Sequence, residues 1–374
     1  MRYYLIAGEA SGDMHAANLM ENLKIKDPKA EFRFWGGDRM QQQGGTLVKH
    51  YKNHAFMGFV EVLMNLPVIL NNLKACKKDL QTYAPDVLIL IDYPGFNLRI
   101  ASFAHKQNIK VVYYISPQIW AWKENRVHKI KRIVDKMFVI LPFEKEFYAK
   151  HDFNVYFVGH PLLDEMQKRE KYFDEADFRK ANNLDDRPVV ALLPGSRVQE
   201  IKRMLPVMLK TAESFQDYQF VIAGTKHIDE KLYYKIIDGH DVHLLIDKTY
   251  PVLQIAYAGL ITSGTASLET ALFKVPQLVM YKASAISYQI ARRLVKLNFI
   301  SVANLVFNKE VFKEFIQNDC RSDKIRAELF QILENEDYRE EMFSNYALLW
   351  KKLGGDGASE RTANGIVDFL NSGK

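Results

Sequence analysis

Several turns of this chain join the end of an apolar run to small residues and a charged group, the pattern of a ligand edge in a parallel α/β sheet. Val189–Leu193 runs into Pro194, Gly195, Ser196 and Arg197, and a helix pattern follows. Gly195 lets backbone N–H groups approach an anion, Ser196 can cap a helix or donate a hydrogen bond, and the Arg197 guanidinium suits phosphate oxygens. A strand–helix turn with a Ser cap and a solvated Arg fits equally well, and residue types alone leave the two level. Gly259–Thr262 runs into Ser263, Gly264 and Thr265, and the spacing predicts a helix from about Ala266 with Glu269 in its first turn. The unpaired N–H groups of that helix start would hold a diphosphate, and Glu269 would accept hydrogen bonds from ribose hydroxyls. Alone, a cap formed by Thr265 is the better reading. Two anion-ready turns in one half of the chain move the balance toward a nucleotide.

The amino-terminal half offers a different chemistry. Asp92 follows Val87–Ile91, where apolar surroundings would raise its pKa and suit it to general-base work. Taken alone, an Asx turn before Pro94 is the better reading; Asn97 in the same loop is a supporting partner for Asp92. Gly8, Glu9, Ala10, Ser11, Gly12 and Asp13 follow the first apolar run. The spacing is neither GxGxxG nor GxxxxGK[ST]; Ser11 and Gly12 are still expected at a helix start lining the acceptor side, the alternative being a simple cap with Asp13 in the first turn. His15, His128 and His160 form no metal-ligand spacing, and no HExxH, DxD or Cys/His cluster occurs, so no metal and no cofactor is expected.

These turns need a scaffold. Tyr3–Ala7, Val87–Ile91, Val111–Ile115 and Met137–Leu141 read as buried strands, as do Val189–Leu193, Gln219–Ala223, Gly259–Thr262 and Gln277–Tyr281. Helix-length segments between them imply βαβ units and two doubly wound, Rossmann-like α/β domains facing across a cleft. The expected division is residues 1–165 and residues 166–354. The final helix, within 355–374, is a candidate to cross back to the first domain. At roughly 150 residues per domain, 374 residues suit two domains.

Composition narrows the class. Hydrophobic residues are 48% and charged residues 26%, which excludes a disordered chain. Only Cys76 and Cys320 are present, too few for a disulfide framework, and a reducing compartment is expected. The opening MRYYLIAGEASGD lacks the apolar core of a signal peptide, and no segment reads as a spanning helix. With 51 basic and 45 acidic residues the net charge is +6, which mildly favours an anionic partner. One apolar stripe at helical spacing, Phe59, Val62, Leu63, Leu66, Ile69, Leu70 and Leu73, leads into Lys74, Lys77 and Lys78. Such a stripe is usually core, yet beside clustered lysines it also describes an interfacial membrane helix. Pro67 predicts a kink or two short helices there. Ile119–Arg132 pairs two tryptophans with basic residues in the same style, which a buried Trp pair and a solvated helix face would also explain.

Read together, AGEASGD (Ala7–Asp13), IDYPGFN (Ile91–Asn97), SPQIWAW (Ser116–Trp122), LPFEKEFY (Leu141–Tyr148), VGHPLLD (Val158–Asp164), LLPGSRVQEI (Leu192–Ile201) and TSGTASLE (Thr262–Glu269) resemble the lipid-A-disaccharide synthase family. MGFVEVL (Met57–Leu63) and RLVKLNFISVANL (Arg293–Leu305) extend the resemblance along almost the whole chain in order. It implies a GT-B fold and an inverting, metal-independent glycosyl transfer in lipid A biosynthesis. UDP-2,3-diacylglucosamine would be the donor and the 6-hydroxyl of 2,3-diacylglucosamine 1-phosphate the acceptor, giving a β-1,6 disaccharide phosphate and UDP. The resemblance makes Asp92 the base and gives Gly195, Ser196, Arg197, Ser263, Gly264, Thr265, Glu269 and Asn304 to the donor. Glu9, Ser11, Gly12 and Asn97 fall on the acceptor side, and Val60, Val62, Leu63, Leu66, Ile69 and Leu70 toward membrane or acyl chains. It further implies a peripheral place on the cytoplasmic face of the inner membrane, no nucleic-acid partner, and a homodimer through the carboxy-terminal segment. The family pattern often carries a second acidic residue where this chain has Gly95. A UDP-N-acetylglucosamine 2-epimerase-like isomerase and a non-catalytic nucleotide-sugar binder are the alternatives.

Overall fold

A computed structural model describes residues 1–53, 66–168, 173–284, 288–289, 292 and 297–372. The chain divides into two compact units, Met1–Arg169 with Leu353–Lys374, and Glu170–Lys352. Each is a parallel sheet packed with helices.

The first unit has strands β1 (Arg2–Ala7), β2 (Glu31–Gly36), β3 (Thr46–His50), β4 (Val87–Ile91), β5 (Lys110–Tyr114), β6 (Lys136–Val139) and β7 (Tyr156–Phe157), in the spatial order β3-β2-β1-β4-β5-β6-β7. Every pairing is parallel. The second unit has β8 (Val189–Leu193), β9 (Gln219–Gly224), β10 (His243–Ile246), β11 (Ala256–Thr262), β12 (Gln277–Tyr281) and β13 (Glu314–Ile316), in the order β10-β9-β8-β11-β12-β13, again all parallel. β4 and β8 are buried at all five positions, because helices cover both faces of a parallel sheet. Burying each such side chain stabilises by about 1.5–3 kcal/mol, enough for these runs to override local turn or helix preferences.

The strand order reverses between β1 and β4 in the first sheet, and between β8 and β11 in the second. At a reversal, the loops leaving neighbouring strands diverge to opposite faces and open a crevice at the carboxyl edge. Glu9 and Asp92 follow the first pair of strands. The Pro194–Arg197 and Ser263–Thr265 turns follow the second.

The helices that position these turns are α1 (Ala10–Lys26), α2 (Asp38–Gln42), α3 (Leu66–Tyr83), α4 (Pro94–Lys106), α5 (Ile119–Trp122), α6 (Val127–Ile133), α7 (Pro142–Ala149), α8 (Val198–Ala212), α9 (Thr249–Ile255), α10 (Thr265–Leu272), α11 (Val302–Phe307) and α12 (Ala358–Asn371). Pro67 is the second residue of α3, a position where a missing N–H breaks no helical hydrogen bond, and the stretch before Leu66, on which the expected kink or pair of short helices depends, lies outside the described residues. Val60, Val62 and Leu63 lie outside the described residues. Helix α12 returns to the first unit and packs on α1 through Ala363, Ile366 and Leu370. Its start is held by Asp164, whose carboxylate accepts from the amides of Gly357 (2.7 Å), Ala358 (3.1 Å) and Ser359 (2.8 Å).

Candidate active site

Asp92 occupies a strained turn. Asp92 and Tyr93 both take left-handed backbone angles, φ +44° and +48°, just before Pro94 opens α4. Such residues cost roughly 1–2 kcal/mol each and persist only where the surroundings fix them. The fixing bonds are visible. The Asp92 carbonyl accepts from Asn97 Nδ2 at 2.8 Å and from the Tyr113 hydroxyl at 2.6 Å, while its N–H donates to the Tyr114 carbonyl at 3.3 Å. The Asp92 carboxyl is half-buried, and enclosure pushes its pKa up to about 7, with the nearby charges of Glu9 and Glu144 adding to the rise. A carboxyl with that pKa exchanges protons near neutrality.

The acceptor-side expectations divide. Glu9 is the residue preceding α1, partly buried and near enough to Asp92 and Tyr93 for its charge to act on both. Ser11 is partly buried in the first turn of α1. Gly12 is buried against Ala7, and Asn97 is fully buried. Asn97 Nδ2 donates to the Ile91 and Asp92 carbonyls. Gly12 and Asn97 are thus both buried supports of these turns. Asp13 is likewise internal, accepting from the amides of Gly37 (2.6 Å) and Arg39 (3.1 Å) at the start of α2.

Glu144, at the start of α7, is a site element that sequence reasoning missed. It is buried, accepts from the Ser116 hydroxyl and from Trp120 Nε1 (3.2 Å), and takes the Ile140 and Leu141 amides at 3.1 and 2.9 Å. Burial raises its pKa against those hydrogen bonds. It therefore ties the Ser116–Trp122 loop to the sheet beside Asp92. An acid three residues after a helix's preceding residue is a capping signal that could have exposed it.

In the second unit the Pro194–Arg197 turn contains its own anion. Glu200 accepts from the Ser196 and Arg197 amides at 3.0 and 3.3 Å and pairs with the Arg197 guanidinium at 3.0 Å. Gly195, at φ +104°, lies against it, and a Cβ there would meet Glu200 Oε2 at 2.5 Å. Arg197, not Ser196, is the capping residue of α8. The exposed ion pair contributes about 0–1 kcal/mol, so the carboxylate-to-amide bonds do more to hold the turn.

The Ser263–Thr265 turn is open by contrast. Gly264 precedes α10 at φ +154°, a conformation reserved for glycine, and nothing lies within 4 Å of where its Cβ would be. No side chain caps α10, so Thr265 is its first residue and not its cap. The Ser263 amide is used by Met280 O at 2.9 Å. Glu269 is the fifth residue of α10, one residue further in than expected and past the first turn, and accepts from the Tyr250 hydroxyl of α9 at 2.5 Å. Asn304, in α11, is fully buried with its amide committed. It donates to Phe312 O (2.9 Å) and Glu314 Oε1 (2.8 Å) and accepts from Val311 N (2.8 Å). These bonds tie α11 to β13.

His15 and His160 are buried neighbours in the first unit, held neutral by desolvation with pKa values lowered to about 4 and about 3. Among the described residues no group of three His, Cys, Asp or Glu could hold a metal ion. A cavity of about 680 Å³ in the second unit, near Arg187, Phe215 and His240, opens at the amino ends of β8 and β9, away from both turns.

A sequence profile described as lipid-A-disaccharide synthetase matches residues 3–362. Lipid-A-disaccharide synthase of Syntrophus aciditrophicus is 41% identical over 366 residues, covering 96% of this chain and 95% of that protein. The same-named protein of Geobacter sulfurreducens is 38% identical over 376 residues, covering 99% and 97%. Among solved structures, UDP-GlcNAc 2-epimerase from Neisseria meningitidis, bound to UDP-GlcNAc, superimposes with a TM-score of 0.69 at 13% identity, over 98% of this chain and all of that one. The glycotransferase of kitacinnamycin gives 0.66 at 13%, over 99% and 98%. Those two likenesses show the GT-B type of α/β fold and do not separate transferase from epimerase. The profile and the full-length relatives do separate them, and on that ground this chain belongs to the lipid-A-disaccharide synthetase family.

Proposed function

We propose that this chain is an inverting glycosyltransferase that joins two acylated glucosamines. It moves 2,3-diacylglucosamine from its UDP derivative to the 6-hydroxyl of 2,3-diacylglucosamine 1-phosphate. Asp92 takes the proton from the 6-hydroxyl as that oxygen bonds to the donor's anomeric carbon. The bond from that carbon to the UDP phosphate breaks, and UDP leaves with the electron pair. The single observation behind the role of Asp92 is its place: a half-buried carboxyl at the strand-order reversal with a pKa near 7. Glu9 stays beside it as the charge that keeps the proton affinity high.

The donor's diphosphate lies at the uncapped start of α10 over Ser263, Gly264 and Thr265, with Arg197 as the neutralising cation. Ser196 and Gly195 shape the turn that presents Arg197. Glu269, oriented by Tyr250, accepts from the ribose. Leu66 and Leu70 on α3 are exposed, as is Val68, and contact acyl chains or the inner membrane surface from the cytoplasmic side. Ile69 packs inward against the core. Among the described residues no helix is long and apolar enough to cross a membrane, so the contact is peripheral. A homodimer through the carboxy-terminal segment completes the reading.

The deciding experiment incubates both lipid substrates with the protein in detergent micelles containing EDTA, with product read by mass spectrometry. Disaccharide phosphate with stoichiometric UDP is the expected result. Conversion of UDP-N-acetylglucosamine to its 2-epimer, without disaccharide, would replace the transferase by the isomerase. Product only after Mg²⁺ is restored would overturn metal independence alone.

A further inference from the structure

Positive charge gathers on α6, on the turn joining it to α5, and at Arg99 of α4. Trp122, 43% exposed, ends α5, with Lys123 Nζ at 4.2 Å and the Arg126 guanidinium carbon at 5.4 Å from its ring centroid. Partial burial and the charge of Arg126 both lower the pKa of Lys123. Lys129 is lowered by partial burial and then by Arg132, Arg99 and Arg126, which places four cations within electrostatic reach of one another. The acid in this segment, Glu124, faces His151 at 3.0 Å. Among the described residues Arg99, Lys123, Arg126 and Lys129 have no carboxylate partner. Like charges held together without counter-charge favour a bound anion.

The position says which anion. The segment follows β5, the strand next to β4, and parallel neighbours lie about 4.8 Å apart. Arg126 is near enough to Tyr113 for its charge to act on the phenol, and the Tyr113 hydroxyl donates to the Asp92 carbonyl. In the acceptor, the attacking 6-hydroxyl and the anomeric phosphate sit on opposite sides of one pyranose ring. With the hydroxyl at Asp92, the phosphate falls about one strand away.

We propose that Lys123 and Arg126, beside Trp122, bind the phosphate monoester of the lipid acceptor, with Arg99 and Lys129 supplying further positive field. This rests on the acceptor reading above. Phospholipid headgroups share the phosphate chemistry, so the test separates the two sources.

The variant Lys123→Gln/Arg126→Gln is compared with the wild type in neutral detergent micelles free of phospholipid. Acceptors with and without the 1-phosphate are used in parallel. The wild type is expected to prefer the phosphorylated acceptor in kcat/KM, and the variant to lose about 10- to 100-fold of that preference. Calorimetric titration with the two acceptors reads the same preference without turnover. An unchanged preference in both measurements overturns the assignment. If the variant instead keeps the preference but loses binding to phosphatidylglycerol vesicles over phosphatidylcholine ones, the cluster reads headgroups and the acceptor assignment fails. A wild type that forms no disaccharide yet shows the titration preference would overturn the transferase reading and leave this site standing.

Discussion

The two strand-order reversals are built alike and furnished oppositely. In the first unit the reversal encloses a carboxyl. Asp92 sits in two successive left-handed residues, its carbonyl tied by Asn97 and Tyr113, with Glu9 and Glu144 adding negative charge nearby. In the second unit the reversal leaves amides open. Gly264 offers a helix start with no capping side chain and empty space where a Cβ would be. Enclosure raises proton affinity, which suits a base; openness leaves N–H groups and dipole for an incoming anion. The same topology thus supports proton chemistry or phosphate binding, according to how water and charge are admitted.

The sharpest way to break that contrast is Asp92→Asn. Turnover should fall about 100- to 10,000-fold while UDP binding by calorimetry is unchanged. Wild-type kcat/KM should rise with pH through about 7 as the carboxyl ionises. Stability should move the other way. Because folding raises the Asp92 pKa above its unfolded value, the carboxyl is a burden above pH 7 and not below its unfolded pKa. Asp92→Asn should therefore melt higher than the wild type at pH 8, with the gap closing toward pH 4. Equal melting at both values would place Asp92 in water.

Gly264→Ala tests the other side. The φ of +154° cannot be kept by alanine without strain, so the amides at the α10 start must shift. The donor KM should rise about 10-fold with acceptor KM unchanged. A smaller effect is expected at Glu200. Glu200→Ala should cost the second unit about 1–2 kcal/mol by urea unfolding, and Glu200→Gln less, because an amide oxygen still accepts from Ser196 and Arg197. Changing Leu66, Val68 and Leu70 together to Ser should weaken vesicle binding and leave circular dichroism intact. Loss of secondary structure in that variant would make the exposed face of α3 structural.

What could be read in advance follows from burial. β4 and β8 are continuous apolar runs because helices cover both faces, and both were expected to within a residue. β3, β10 and β13 lie at sheet edges, half-exposed and mixed in polarity, so no periodic signal marks them. β2 was also passed over, although Phe32, Phe34 and Trp35 are buried, because charged Glu31 and Arg33 interrupt it. At the site, strand ends located the turns. Whether an amide meets a ligand or staples backbone depends on partners distant in sequence. The amides of Asn97 and Asn304, for example, bond to backbone carbonyls that residue types alone do not reveal. Glu200 was within reach, since an acid three residues after Arg197 is capping spacing.

The return of the chain to its first unit has a consequence for biogenesis. The β-strands of that unit emerge from the ribosome first, yet α1 lacks its packing partner until α12 has been made. The second unit, translated later, needs nothing downstream of Lys352 to close its own core. Order of synthesis and order of completion are thus inverted. During translation of the second unit the part of α1 that α12 will cover is uncovered, a window in which a chaperone or a misplaced neighbour can occupy it.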